Sequence, residues 1–444
     1  MSISRGPALL RNRDFALLLG GGLVSAVGDQ AQSMALPLTV LALTGSAARA
    51  GLVLGLGTLA FLLSGPFAGA LADRWDRRAA MVWCDAGRAL LAGATALAQA
   101  LDRLTMPQLY ATAVAAGVLG TLFRAAGAAA LPNVVGPGRL PAALGLQQSA
   151  AGAVGVVGAP LAGMLYSAGR VVPFTVDALS FVASAVSLRL MRGSFQRERC
   201  PEAAAGDGAA ASAGRFAAQV REGLGWLRHQ PVIRFLTLVT AADKVRYGAG
   251  YLLIITLARR LGASPFWVGA VFGGAALGAL AGAAVSGRVA HRFPLGRIAM
   301  VMLWLEALMF PLYALAPNAP ALAAVAAGES LLVPVYTVAM TAHQLAITPD
   351  ELRGRAAAAT TTLTTGALSA GTLAGGALIT VLGPTTLVWA CGAWLLLLAL
   401  ATTAHRAVRQ APPAGGADAA AGVVGAARSP RRDEPSAQGG VVEG

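Results

Sequence analysis

Residues 69–78 read GALADRWDRR, a short charged turn between two long apolar segments. The carboxylate of Asp73 can approach the positively charged N-terminal end of a neighbouring helix. A contact of this kind forms and breaks as helices move, so we predict that the turn is a latch, in which Gly69 allows close packing. The residues assigned to this predicted latch are Gly69, Asp73, Arg74, Arg77, Arg78, Asp85 and Arg88.

The sequence on both sides of this turn is apolar over almost its whole length. Of the 444 residues, 56% are hydrophobic and 12% are charged, about half the charged fraction of a soluble domain. Runs of 18 or more apolar residues can cross the ~30 Å hydrocarbon core as helices. Lipid offers backbone groups no partner, so we predict an all-α membrane protein with the bilayer as its surroundings.

Hydropathy divides the chain into twelve predicted transmembrane helices in two sets of six. The first set comprises 15–43, 49–72, 80–101, 107–131, 142–169 and 171–192. The second set comprises 232–257, 265–290, 298–316, 320–347, 356–383 and 385–406. The predicted units are an N-terminal six-helix bundle (1–192), a cytoplasmic linker (193–230), a C-terminal six-helix bundle (231–406) and a disordered cytoplasmic tail (407–444).

The distribution of arginine predicts the orientation in the membrane. Loops on the side of the N-terminus hold 12 arginines, and the opposite loops hold 5. By the positive-inside rule, both termini face the cytoplasm, and the protein is a multi-pass protein of the cell (inner) membrane. The formal charge of +14 is explained by these loops, so no nucleic-acid partner is expected. The first helix is too long for a cleavable signal.

The two sets repeat each other in sequence. A shift of 218 residues places Ser46 on Ser264, and Arg74 on Arg292. Two parallel repeats are typical of one large class of transporters, in which the binding site lies between the halves near the membrane midplane.

With this topology, the 69–78 turn resembles the cytoplasmic loop signature of the major facilitator superfamily. The resemblance implies two six-helix bundles around a central cavity, with Asp73 meeting the eleventh helix near Arg355. The second-half copy of the turn carries His291 where the first half has Asp73, which departs from a symmetric latch. The stretches 10–15, 28–29, 43–46, 177–181 and 349–355 resemble the branch that contains bacterial siderophore exporters and macrolide-efflux proteins.

The fifth predicted helix carries a ridge of small residues around a proline. Small residues allow close helix approach, and a proline bends a helix because it lacks a donor. The ridge resembles a motif associated with antiport and export in the same superfamily, and ordinary glycine-mediated packing is the alternative. Its residues are Gly155, Gly158, Pro160 and Gly163.

Placing a charged side chain near the centre of a transmembrane helix costs about 3 kcal/mol of insertion free energy, so ionisable residues within the predicted spans usually line a cavity. The candidates for a substrate and proton pathway are Asp29, Arg124, Asp243, Lys244, Arg246, Glu306, Glu329 and His343. Asp29 and Asp243 are predicted to carry protons, with the bases as counter-ions or partners of an anionic cargo. The alternatives are a neutralised Asp243–Arg246 pair that only shapes packing, or a seventh helix that starts later. Asp177 is expected to be structural.

We expect a monomeric secondary transporter that exports a small organic molecule, such as a drug, siderophore or secondary metabolite, in exchange for protons. No phosphate-binding loop and no metal-ligand spacing occurs in the sequence, so neither a cofactor nor a metal is expected. Three alternatives remain: a proton-coupled importer on the same fold, a non-transporting membrane sensor, and an intramembrane enzyme. Scattered carboxylates do not form a catalytic pair, so no catalytic residue is assigned.

Overall fold

The computed structural model describes residues 9–192, 195 and 209–409, and every long element in them is an α-helix. The prediction of an all-helical protein is confirmed, and each predicted span overlaps a helix. We number the bundle helices α1 (Arg13–Thr44), α2 (Ala47–Arg74), α3 (Arg77–Ala100), α4 (Met106–Val135), α5 (Leu140–Ala168), α6 (Val172–Leu190), α7 (Pro231–Arg260), α8 (Pro265–Arg292), α9 (Leu295–Met309), α10 (Ala319–Ile347), α11 (Arg353–Leu382) and α12 (Pro384–Ala404). Most of the predicted tail (410–444) lies outside the described residues.

The sequence sets the helix ends through local capping. The Asn12 side chain accepts hydrogen bonds from the backbone N–H groups of Asp14 and Phe15 at 3.1 and 3.3 Å, which satisfies donors at the start of α1. Gly45 ends α1 with φ +64°, a conformation that glycine adopts without strain. Pro311 interrupts the predicted ninth helix, and one further turn, Leu312–Leu315, follows it.

Nine spans in the described part of the chain are long and apolar enough to cross a membrane; they include all bundle helices except α1, α3 and α7. These three are 24–32 residues long, and each carries charged residues in its interior. Helix α1 holds Asp29, α3 holds Asp85 and Arg88, and α7 holds the cluster from Asp243 to Arg246. The charges that lower the hydropathy are therefore those of the candidate site.

The first six helices pack mainly among themselves, and so do the last six. In the first half, α1 and α3 both pack on α6, and α2 packs on α4. In the second half, α7 packs on α11, α8 on α10, and α9 on α12. The two halves meet mainly where α5 packs on α8 and α2 packs on α11.

The apolar core is continuous at one end of the bundle and divided at the other. At the end where α1 runs into α2, one cluster joins both halves, including Ala35, Val53, Leu252 and Val268. We call this the far end. At the opposite end, near the linker, one cluster contains only first-half residues and another only second-half residues. We call this the linker end.

Glycines bring the two halves into backbone contact at the far end. A Cβ atom on Gly51 of α2 would lie 2.8 Å from the Cα of Gly376 in α11. A Cβ on Gly163 of α5 would lie 2.8 Å from the Cα of Phe266 in α8. Both distances are too short for any residue larger than glycine, so this end is closed without intervening side chains.

The predicted linker contains a helix that sequence analysis missed. Ala209–Arg228, the linker helix, packs on α11 and α2 at the linker end. Glu222 forms an ion pair with Arg355 at the start of α11, and Gly223 leaves no room for a Cβ atom beside the Arg355 carbonyl. The apolar spacing of Phe216, Val220, Leu224 and Leu227 is the amphipathic pattern that indicates this helix. Residues 193, 194 and 196–208 of the linker lie outside the described part.

The outer surface of the bundle exposes large apolar side chains. Trp83, Leu90 and Val381 are 73%, 75% and 80% exposed. Large exposed apolar areas on a protein mark contact with a membrane or a partner. Together with the nine apolar spans, they support a multi-pass membrane protein.

Candidate functional site

The second half is organised around the guanidinium of Arg246. Its side chain is 3% exposed. Nε donates to Asp243 Oδ1 at 2.7 Å, and Nη1 donates to Glu329 Oε1 at 2.7 Å. Glu306 lies farther away, with Oε2 at 3.8 Å from Nη2, and the Phe310 ring centroid lies 4.7 Å from the guanidinium carbon. We call Arg246 with its three carboxylates the Arg246 hub; it joins α7, α9 and α10.

Further polar contacts fix the Arg246 hub in place. Tyr313 donates its hydroxyl proton to Glu329 Oε2 at 2.8 Å, so both oxygens of that carboxylate are held. Lys244 points away from the hub guanidinium, with Nζ 4.6 Å from the Tyr247 ring centroid. Lys244, Asp243 and Glu306 line a small cavity of about 60 Å³. A buried guanidinium with direct carboxylate partners is compatible with an apolar interior.

The first half contains a comparable group around Arg88, which we call the Arg88 cluster. Arg88 Nη2 pairs with Asp29 Oδ1, and the guanidinium carbon lies 4.0 Å from the Phe181 ring centroid. The Arg88 side chain is 10% exposed, and the Asp29 side chain is 44% exposed. The carboxyl groups of Asp85 and Asp177 complete the cluster; both residues are fully buried, and the Asp177 oxygens have no hydrogen-bond partner among the described residues.

Asp85 and Arg88, which were assigned to the predicted latch, lie deep in α3 in this conformation. Arg88 lies eleven residues after Arg77, where α3 begins; at 1.5 Å per residue, it is about 16 Å from the loop. It therefore reaches Asp29 in the middle of α1. Asp177 reaches the same place because α6 packs against Gly28, where a Cβ would lie 2.8 Å from Asp177 Oδ1.

The two clusters have a common design. Each places one guanidinium among three carboxylates, and in each cluster one ion pair connects the first and third helices of its half. Asp29–Arg88 joins α1 to α3, and Arg246–Glu306 joins α7 to α9. Asp243–Arg246 is also the predicted i,i+3 pair on one helix face. The two halves that repeat in sequence thus carry an ion pair at the same position. In the first half the acid lies on the first helix and the base on the third, and in the second half this order is reversed.

Two cavities lie between the halves. One of about 440 Å³ is lined by residues of α1, α2, α4, α7 and α11, among them Gln32, Thr58 and Phe61. The other, of about 320 Å³, is bounded by α1, α5, α7, α8 and α10, and Arg246 and Glu329 are in its wall. Tyr247 and Tyr251 line both. A ligand in this central space would therefore contact both halves.

A third cavity, of about 390 Å³, lies in the first half toward the linker end, and Arg124 lines it. Arg124 has its guanidinium carbon 5.4 Å from the Phe61 ring centroid. Within the described residues, it forms no salt bridge. His343 is buried near the linker end of α10, with Nδ1 lacking a hydrogen-bond partner. The structure does not bring His343 to either cluster.

Arg77 and Arg78 of the 69–78 turn contact their own half in this conformation. Arg77 donates to the Ala129 carbonyl at 2.8 Å, and Arg78 donates to the carbonyls of Leu188 and Arg189 at the end of α6. Positive groups are favourable at that end of a helix. No atom lies within 4 Å of a Cβ built on Gly69, so the expected close packing is absent here. The Asp73 side chain lies outside the described part, and Arg355 is held by Glu222 of the linker helix.

The small residues of α5 lie where the two halves meet. Cβ atoms built on Gly155 and Gly158 would lie 3.5 Å from Ala276 of α8 and 3.1 Å from Gln30 of α1. The Pro160 ring packs against Gly273 of α8, and Gly163 packs against the start of α8. The ridge therefore provides an interface along which the halves pack closely.

Sequence reasoning placed Tyr247 on the helix face of Asp243 but missed Tyr251 and Phe272. Tyr251 donates to the Ser33 carbonyl of α1 at 3.2 Å, and its ring centroid lies 4.6 Å from that of Phe272. The signal available was weak: Tyr247 and Tyr251 follow Asp243 at i+4 and i+8, and so share its helix face.

Comparisons with known proteins agree with this arrangement. Residues 18–243, just over half of the chain, match the sequence profile of the Major Facilitator Superfamily. A search of curated proteins by sequence finds no match.

Among solved structures, a mutant of the nucleoside transporter NupG is similar with TM-score 0.72 at 10% identity, covering 88% of this chain and 99% of that one. A bacterial homologue of the iron transporter ferroportin, in an inward-facing state, is similar with TM-score 0.67 at 17% identity, covering 89% of this chain and 98% of that one. A D-xylose–proton symporter is similar with TM-score 0.63 at 14% identity, covering 92% of this chain and 99% of that one. At these identities, the likeness shows the fold.

Proposed function

The chain belongs to the major facilitator superfamily, and on that premise we propose that it exports a small organic molecule from the cytoplasm in exchange for protons. The family and the solved neighbours indicate a transporter rather than an enzyme. In the proposed arrangement, α1–α12 are twelve spans of the cell membrane, both termini are cytoplasmic, and one chain suffices. The cargo belongs to the drugs, siderophores and secondary metabolites.

The observation that supports transport by alternating access is the core that is continuous at the far end and divided at the linker end. Two halves that separate at one end and close at the other form one state of an alternating-access cycle. With the linker in the cytoplasm, this state opens inward. The latch would engage in the opposite state, when Asp73 approaches α11 and Arg355 is released by Glu222.

In the proposed cycle, the Arg88 cluster supplies the coupling step. Asp29 is half-exposed while its partner Arg88 is buried, so a proton can reach the carboxylate. Protonation of Asp29 removes its charge, and Arg88 then has Asp85 and Asp177 within electrostatic reach. The exchange of partners would shift α1 relative to α3 and α6, which links proton binding to helix movement.

The proposed function is tested in everted membrane vesicles with a proton-loaded lumen. Cargo candidates are added outside while luminal pH is followed, for wild type, Asp29→Asn and Asp243→Asn. Each variant leaves its arginine with two other carboxylates nearby, so both are expected to fold. Cargo-dependent proton release is expected in wild type and should fall to the level of vesicles without the protein in both variants.

The matched control is Asp350→Asn, because Asp350 is 80% exposed and pairs with Arg353 at the surface. It should release protons as wild type does. If Asp29→Asn and Asp243→Asn also behave as wild type, proton exchange through these carboxylates is refuted. Uptake of cargo together with protons would instead support the importer on the same fold, which remains the second candidate because the D-xylose–proton symporter has a similar structure.

A further inference from the structure

The linker helix covers one face of α11 at the linker end. A Cβ on Gly223 would lie 2.7 Å from the carbonyl carbon of Arg355 and 2.9 Å from the Cβ of Ala359. The neighbouring Glu222 forms an ion pair with the Arg355 guanidinium. Arg355 and Ala359 are four residues apart and so lie on the same side of α11. We call this side the α11 docking face.

The contact between α2 and α11 at the far end has a register that leads to the same face. The two helices run in opposite directions, and their facing pairs are Gly51–Gly376, Gly55–Leu373 and Leu62–Gly366. Each step along α2 is therefore matched by an equal step back along α11. Continued to the linker end, this register places Gly69 opposite Ala359. It places Asp73 opposite Arg355, where the predicted latch would form.

In this conformation, the linker helix occupies the position on α11 to which that register assigns the 69–78 turn. Among the described residues, no atom lies within 4 Å of a Cβ built on Gly69. Ala359 is nevertheless only 1% exposed, and Gly223 is packed against it. The two segments therefore cannot contact the α11 docking face at the same time.

Both segments have the chemistry that this face accepts. Helix α11 begins at Arg353 without a side-chain cap, so the unpaired N–H groups of its first turn attract a carboxylate. Glu222 supplies one from the linker helix, and the turn carries Asp73. Each segment also contains a glycine, Gly223 or Gly69, which permits close approach of two helices.

From these features, we infer that the linker helix and the 69–78 turn compete for the α11 docking face. The linker helix packs on α2 and α11 together, one helix from each half, at the end where the core is divided. Closure of this end requires the linker helix to leave, so the strength of its docking sets the fraction of molecules that close. The inference rests on the proposed function and adds to it a regulatory segment outside the twelve spans.

The test measures distances between pairs of spin labels in the purified full-length protein in detergent. Ala79→Cys and Glu351→Cys place labels at exposed positions at the linker end, one in each half. A second pair, Ala218→Cys with Glu351→Cys, reports whether the linker helix is docked. Cys200→Ser removes one native cysteine, and the other two are buried.

Gly223→Ala is the first variant, because its Cβ would collide with the backbone of α11. It is expected to undock the linker helix and to raise the ratio of closed to open molecules roughly tenfold. Gly225→Ala is the matched control on the same helix, since a Cβ there meets no described atom within 4 Å; its ratio should equal that of wild type. Glu222→Arg, which places like charges together at Arg355, is the second variant if Gly223→Ala does not fold.

Asp73→Asn tests the competition itself. Without the carboxylate of the turn, the increase caused by Gly223→Ala should fall to roughly twofold or less. An equally large increase in the presence of Asp73→Asn would show that the two segments do not compete. Unchanged closure with an undocked linker helix, or a linker helix that stays docked in both Gly223→Ala and Glu222→Arg, would also contradict the inference.

The label distances require neither cargo nor a proton gradient, so this test and the vesicle test fail independently. Competition without cargo-dependent proton release would retain the role of the linker helix and reject the proposed exchange. Proton release in vesicles without competition would retain the proposed function and reject the role of the linker helix.

Discussion

The Arg246→Met variant is expected to lower the apparent melting temperature of the detergent-purified protein by roughly 5–10 °C. Methionine occupies a similar length without charge, and it would leave Asp243, Glu306 and Glu329 facing one another in the bundle interior. Removal of one partner from a buried ion pair costs about 3–5 kcal/mol, because the remaining charge loses its compensation. The measurement is a thermal unfolding curve, with the yield of monodisperse protein as a second readout.

Arg124→Met is the matched control, since it removes the same group from an exposed position on the wall of the first-half cavity. Its melting temperature should stay within about 1–2 °C of wild type, as expected for a surface change. If Arg246→Met is as stable as Arg124→Met, the hub does not stabilise the packing of α7, α9 and α10.

Gly278→Ala is expected to disrupt the contact between α8 and α10. A Cβ on Gly278 would lie 2.6 Å from the carbonyl carbon of Ala327, so the two helix backbones must separate. Gly274 and Gly282 face Ala323 and Leu331 in the same way, one turn before and after. Overpacking of this kind costs about 1–3 kcal/mol, and we expect a drop of roughly 5 °C in the melting temperature.

Gly287→Ala provides the comparison on the same helix, because a Cβ there meets no atom within 4 Å. It should be neutral or slightly stabilising, since alanine favours a helix over glycine by about 1 kcal/mol. Equal melting temperatures for the two alanine variants would show that α8 and α10 tolerate separation at this point.

The helices and the family could be predicted because hydropathy and loop charge depend on the sequence alone. Pairing between helices could not, because it depends on helix rotation and on depth in the bundle. Arg88 illustrates the limit. Because it follows the 69–78 turn closely in sequence, it was assigned to the latch. In the structure it lies three turns into α3 and pairs with Asp29. Asp243 and Arg246 were predicted to pair because an i,i+3 relation needs only one helix.

Amphipathic and aromatic features were harder to interpret than charge. The linker helix was missed because its alanine- and glycine-rich, charged composition resembled a linker, although its apolar residues have helical spacing. Tyr313 was missed because its role depends on Glu329, which is sixteen residues away on another element. The first miss came from composition, and the second from a contact between two elements.

The continuous far-end core has a consequence for how the two halves find each other. Four helices, α2, α5, α8 and α11, carry the contacts between the halves, and Gly51 and Gly163 make those contacts specific by excluding larger side chains. The connection between α6 and α7 includes the linker helix, which packs on α2 and α11. It raises the effective concentration of one half near the other, while the choice of partner surface resides in the four helices themselves.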